Sequence, residues 1–114
     1  MKIIFFGTHT FAATILESLL TEPSFEIVFI ITQPDRLVGR AQKIQKSSVK
    51  ILAEQRRLHI DQPESLKTYD LRLMTYDLGI TAQYGAIIPK HILEAPKHGI
   101  LNVHTSLLPK YRGA

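Results

Sequence analysis

Ile3-Ile-Phe-Phe-Gly7, then Phe11-Ala-Ala-Thr-Ile-Leu-Glu-Ser-Leu-Leu20, then Phe25-Glu-Ile-Val-Phe-Ile-Ile-Thr32 decide the fold. The first run is apolar and closed by a glycine, which suits a strand buried on both faces. In the second, Phe11, Ile15 and Leu19 recur at helical spacing with Ala12, Leu16 and Leu20 beside them, a wide apolar face. Thr8 or Thr10 is the expected N-cap, and Pro23 ends the helix. The third run is rich in β-branched residues, as a central parallel strand is. Strand, helix and strand with short joints make a right-handed βαβ unit.

Working outward, the alternation continues. Pro34 and Gly39 predict an irregular loop over 33–46, longer than most connections and therefore a candidate functional segment. Ser47 or Ser48 caps a second helix, with Val49, Leu52 and Ala53 toward the core and Lys50, Glu54 and Arg57 toward water. Leu58–Asp61 reads as a short third strand, Gln62–Leu66 as a turn, and Tyr69–Met74 as one or two helical turns. Leu78–Gln83 is the fourth strand, Tyr84-Gly85 a turn, and Pro89 opens a short helix to about Leu93. Ile100–His104 is the fifth strand. The expected fold is α/β: a Rossmann-like open, mostly parallel sheet with helices on both faces. Ligands of such sheets sit outside the carboxyl ends of the strands. Gly7-Thr8, Gln33 onward, Gln83-Tyr84-Gly85, and Asn102 with His104 all lie there.

Composition narrows the chemistry. A chain of 114 residues is one domain, and the absence of cysteine excludes disulfides and thiolate–metal sites. No apolar run approaches the roughly 20 residues of a membrane span, and the apolar start is too short for a signal peptide. A cytoplasmic location is expected. His59, His91 and His98 have no partners at ligand spacing, so no metal is expected. The joint after Phe6 has one glycine, which supports neither a dinucleotide fingerprint nor a phosphate loop. Net charge is +4, and Arg36, Arg40, Lys43, Lys46 and Lys50 against Asp35 carry all of it. Such a segment is either a solvated loop or a reader of a phosphate backbone. Asp35 reads as a turn residue bonding local backbone N–H groups.

The last sixteen residues, 99–114, deliver Asn102 and His104 to a strand end. Side chains two apart on a strand share a face. An amide N–H can hold a carbonyl oxygen as charge develops on it, and an imidazole can move a proton, which together serve acyl transfer.

Asn102-Val-His-Thr-Ser-Leu-Leu-Pro-Lys-Tyr-Arg-Gly-Ala114 resembles the signature of the folate-dependent formyltransferases, and Ala82-Gln-Tyr-Gly-Ala-Ile-Ile-Pro89 resembles their folate-holding segment. Phe6-Gly-Thr8 with Phe11-Ala12, Thr32-Gln-Pro-Asp-Arg36 with Gly39-Arg40, and Gln62-Pro-x-Ser-Leu66 are similar to the branch acting on initiator tRNA. The resemblance implies 10-formyltetrahydrofolate as formyl donor and initiator methionyl-tRNA as acceptor, in translation initiation. It implies Asn102 and His104 as catalytic residues. Tyr84, Gly85, Ala86, Ile87, Ile88, Ser106, Leu107, Leu108 and Pro109 would bind the cofactor, with Pro109 a candidate for a cis bond. Gly7, Thr8, Phe11, Arg36, Arg40 and Lys43 would bind the substrate, with Lys46 a further candidate for tRNA contact. It also implies a catalytic aspartate beyond Ala114. Residues 1–114 would then be the amino-terminal part of a catalytic domain, inactive alone and monomeric when full length. Three departures stand out: His9-Thr10 where proline and a polar residue are usual, Thr105 at a variable position, and Leu37 in place of a proline. The other readings are a relative acting on an amino sugar or small amine, and a non-catalytic folate- or RNA-binding module.

Overall fold

The computed structural model describes residues 1–71 and 76–104. Its elements are β1 (Lys2–Gly7), α1 (Thr10–Leu20), β2 (Glu26–Ile31), β3 (Arg36–Val38), β4 (Lys43–Gln45), α2 (Ser48–Gln55), β5 (Ile60–Asp61), β6 (Leu78–Ala82), α3 (Lys90–Leu93) and β7 (Ile100–Asn102). Five strands form one sheet in the order β5-β2-β1-β6-β7, every pair parallel. Among the described residues no helix is long and apolar enough to cross a membrane.

β1 takes the centre because it is apolar on both faces. Ile3 and Phe5 pack with Ala12 and Leu16 of α1 and Val49, Leu52 and Ala53 of α2. Ile4 and Phe6 turn the other way, onto Leu66, Leu71, Tyr84 and Ile92 of α3. All four β1 side chains are fully buried, each worth about 1.5–3 kcal/mol of transfer from water. The period of two along one strand thus supplies two separate cores.

Several elements differ from expectation. Residues 33–46 are not irregular: β3 and β4 form an antiparallel hairpin that pairs Leu37 with Ile44. Its four-residue turn closes by Gln42 N–H donating to Gly39 C=O (3.2 Å), with Gly39 at φ +73 and Gln42 at φ +53. α1 begins at His9 with no side-chain cap, because both candidate threonines are engaged elsewhere: Thr8 on Tyr84 and Thr10 on Ser48. Ser47 caps α2, accepting from the Lys50 N–H at 3.0 Å. Lys50 does not face water; it turns inward onto Asp35. The third strand shrinks to Ile60–Asp61, and β7 ends at Asn102. Tyr69–Leu71 form no helical turn; the rest of that expected helix, 72–74, lies outside the described residues.

Candidate active site

The chain leaves β1 for β2 on one side and returns to β6 on the other, so the sheet's switch point lies between β1 and β6. Ligands of open parallel sheets occupy that crevice. Thr8 stands at the end of β1, 5% exposed, and its hydroxyl donates to the Tyr84 carbonyl at 2.6 Å. The Gln33 N–H, just past β2, donates back to the Thr8 hydroxyl at 3.4 Å. One side chain therefore ties three strand ends together.

Past β6 the backbone turns sharply. Gln83 is left-handed at φ +49 and Gly85 at φ +93. A non-glycine residue there is strained and persists only where its surroundings hold it. Tyr84, between them, is the anchor: 4% exposed, its ring edge-on to Phe6 with centroids 5.9 Å apart. Burial, then the Asp61 charge, pushes its phenol up to about 12, so it stays protonated at neutral pH. The Tyr84 ring belongs to the core, while the residues on either side of it, Gln83, Gly85 and Ala86, line the cleft.

That cleft, of about 430 Å³, has Gln83, Gly85, Ala86 and Ile88 on the β6 side and Asn102, Val103 and His104 on the β7 side. Val103 N–H donates to Thr81 C=O at 2.8 Å, extending the register beyond β7. Asn102 and His104, both exposed, meet: Nδ2 of Asn102 lies 3.0 Å from Nε2 of His104. With the amide as donor, Nε2 accepts and the ring proton sits on Nδ1. The lining mixes apolar residues (Ala86, Ile88, Val103) with polar ones (Gln83, Asn102, His104), the make-up of a small-molecule cleft.

A second cleft, of about 360 Å³, lies over the β1–α1 joint. Thr8, His9 and Thr10 line it with Pro34, Arg36, Lys46, Ser47 and Ser48. His9 reaches the first cleft's wall, its Nε2 3.9 Å from where a Cβ on Gly85 would stand. The hairpin rises beside this cleft. Arg36 is at its root, Arg40 and Lys43 sit at the exposed turn, and the paired Leu37 and Ile44 are 60% and 69% exposed. Asp35 is not a local turn residue: it accepts from Lys50 Nζ (2.8 Å) and from Gln62 Nε2 (2.8 Å), which also donates to Gln33 C=O. The Lys50 ammonium, then the Gln62 amide, holds the Asp35 carboxyl below its ordinary range. The hairpin is thus fastened to α2 at its base.

The structure gathers Asn102, His104, Tyr84, Gly85, Ala86 and Ile88 around one cleft, and Thr8 and Arg36 around the other. Ile87 is 91% exposed and stands outside the lining. Phe11, half-buried in the first turn of α1, lines neither cleft. Gly7 is a packing position, with no room for a Cβ between Phe5, Ala12 and Ala82. Ser106, Leu107, Leu108 and Pro109 lie outside the described residues. Thr81 and Val103 line the first cleft without having been singled out; Gln83 and His9, which line the clefts too, were marked only by the strand-end and folate-like segment and as a departure from the family pattern, respectively. Among the described residues no group of three or more His, Asp or Glu is arranged to hold a metal.

An open parallel sheet, clefts at its carboxyl edge and a strand-end amide–imidazole pair define an α/β protein of the class whose ligands sit outside the carboxyl ends of the strands. The chain belongs to the formyl transferase family, whose model matches residues 1–114. Among its relatives is the methionyl-tRNA formyltransferase of Nitrosomonas eutropha, 48% identical over 118 residues, spanning all of this chain and 37% of that protein. Those of Nitrosomonas europaea (48% identical, 36% of that protein) and Caldicellulosiruptor saccharolyticus (44%, 38%) also align with the whole chain. The chain therefore spans little more than a third of the length of these relatives.

Proposed function

We propose that residues 1–114 are the amino-terminal part of a catalytic domain that moves a formyl group from 10-formyltetrahydrofolate to the α-amine of methionine on initiator tRNA. The observation that carries this reading is the Asn102–His104 pair, 3.0 Å apart across a cleft from the Gln83–Ile88 wall. When bound, the folate supplies the formyl carbon and a leaving nitrogen, N10. Asn102 donates its amide N–H to the formyl oxygen as charge develops there, an interaction worth about 10²–10³ in rate. His104 takes the proton that the attacking amine must lose and returns one to N10, for about 10²–10⁴ more. The Gln83–Gly85 backbone and the Ile88 side chain hold the pterin. Arg36, Arg40 and Lys43 on the hairpin meet the phosphates of the acceptor arm.

The test is formyl transfer by the full-length protein, with 10-formyltetrahydrofolate and charged initiator tRNA, in wild type, Asn102→Ala and His104→Ala. We expect each substitution to cut kcat at least a hundredfold with less effect on either KM. Near-wild-type turnover in both variants sinks the assignment. Charge removal at Arg40 and Lys43 should lower the slope of log affinity against log salt by roughly 0.7–0.9 per lost phosphate contact. An unchanged slope removes the tRNA role of the hairpin.

A further inference from the structure

We infer that Thr8 is a positioning residue for the formyl-donor cleft rather than a contact to the acceptor, an inference that rests on reading that cleft as the folate site. Its hydroxyl is buried and spent on protein: it donates to the Tyr84 carbonyl at 2.6 Å and accepts from the Gln33 N–H at 3.4 Å. The carbonyl it holds lies between two residues of positive φ, Gln83 at +49 and Gly85 at +93. A left-handed glutamine relaxes toward the extended region unless its neighbours prevent it. Two things prevent it here. Tyr84 is buried against Phe6, which fixes where the turn sits. The Thr8 hydroxyl fixes how the Tyr84 peptide is rotated, and that peptide sits between Gln83 and Gly85, both of which line the cleft. The β1–α1 joint, which lines the second cleft, thereby sets the shape of the wall of the first. A valine fills the same space without the hydroxyl and leaves a buried carbonyl without its donor.

The experiment compares Thr8→Val and Thr8→Ser in the full-length protein. Donor KM, tRNA KM and kcat are read alongside amide hydrogen exchange at Gln83–Ala86 without ligand. Thr8→Val should raise donor KM about 5- to 150-fold, the range for one buried carbonyl losing its partner. It should change tRNA KM less than twofold and speed exchange at Gln83–Ala86 at least tenfold. Thr8→Ser, which keeps the hydroxyl, should return donor KM and exchange to within about threefold of wild type. Equal effects of valine and serine overturn the inference, as does a change confined to tRNA KM, which would make Thr8 an acceptor contact. Unchanged exchange in Thr8→Val overturns it whatever the kinetics. A wild-type protein that binds no formyl donor defeats the proposed function instead, and exchange alone then decides whether Thr8 holds the turn.

Discussion

Gly7→Ala tests the packing at the switch point. A Cβ built on Gly7 lies 2.5 Å from Cε2 of Phe5, 2.8 Å from Cβ of Ala12 and 2.9 Å from the carbonyl oxygen of Ala82. Carbon contacts are comfortable at about 3.5–4.0 Å, so all three are well inside contact distance. None of the three neighbours yields easily. Phe5 is fully buried in the α1–α2 core; the Ala12 methyl has no rotamer; the Ala82 oxygen is backbone, held in the β1–β6 ladder that pairs Gly7 with Ala82. Relief requires α1 to move off β6. Overpacking of this kind costs about 1–3 kcal/mol, and with rigid neighbours on every side we expect the upper end, about 3 kcal/mol. The assay is urea unfolding of the full-length protein, wild type against Gly7→Ala, in a cycle with Ala12→Gly. Ala12→Gly alone should cost about 1 kcal/mol as a helical glycine. In the double variant one of the three clashes is gone, so the coupling should be favourable by about 1 kcal/mol or more. A Gly7→Ala cost below about 0.5 kcal/mol, or costs that simply add, would refute the packing account and reopen Gly7 as a ligand contact.

A Cβ on Gly79 meets the Ile100 side chain, at 2.7 Å from Cγ1, so Gly79→Ala should cost about 1–2 kcal/mol, and less in an Ile100→Ala background, which removes that carbon; urea midpoints of both single variants and the double variant decide, and no rescue refutes the contact. Arg57 occupies the left-handed position of a helix C-terminal motif at φ +56, with Leu58 N–H on Ala53 C=O and Arg57 N–H on Glu54 C=O; Arg57→Gly should therefore stabilise by about 1 kcal/mol, seen as a raised melting temperature, and a lowered one contradicts it. Asp35→Asn should destabilise by about 1 kcal/mol at pH 7, the worth of a half-buried charge-assisted pair. Because the folded carboxyl is held below its ordinary value of 3.8, the wild-type advantage is present above that value and is lost as pH falls through the depressed one. Melting temperatures of both proteins at pH 7 and at pH 2–3 should converge at the acid end, and an equal gap at both pH values refutes the pair's contribution.

The order of elements was legible because it rests on local pattern. Apolar runs at 3–6, 27–31 and 78–82 and the helical stripe from Phe11 to Leu20 report burial directly, and burial is what those elements have. The hairpin was not legible for the opposite reason. Leu37, Val38 and Ile44 are apolar and exposed, so their alternation faces no core, and the turn depends on a left-handed Gln42 that composition does not advertise. Asp35 and Lys50 are fifteen residues apart and meet only through the tertiary fold; neither periodicity nor charge counting pairs them. At the site, the spacing of Asn102 and His104 was enough to place both on one face, and the structure adds that they touch.

What spacing could not tell is which polar groups at the strand ends are spent on the protein and which remain for a ligand. Thr8 and Asn102 are both uncharged hydrogen-bonding residues at carboxyl ends of parallel strands in one sheet, with β6 between them, and both read as site residues. The distinction comes from burial and partners: Thr8 is 5% exposed and bonded to two other strand ends, whereas Asn102 is exposed and its amide meets only an equally exposed imidazole among the described residues. A buried hydroxyl whose one proton is committed to a carbonyl has none to donate to a substrate, since turning it toward one would orphan that carbonyl at a cost of about 1–3 kcal/mol. An exposed amide has a second N–H to give. A division at this edge follows from that asymmetry: the central strand, packed on both sides, supplies the support, and the outer strand of the described sheet, with one open flank, keeps exposed polar groups, as the role proposed for Asn102 and His104 requires.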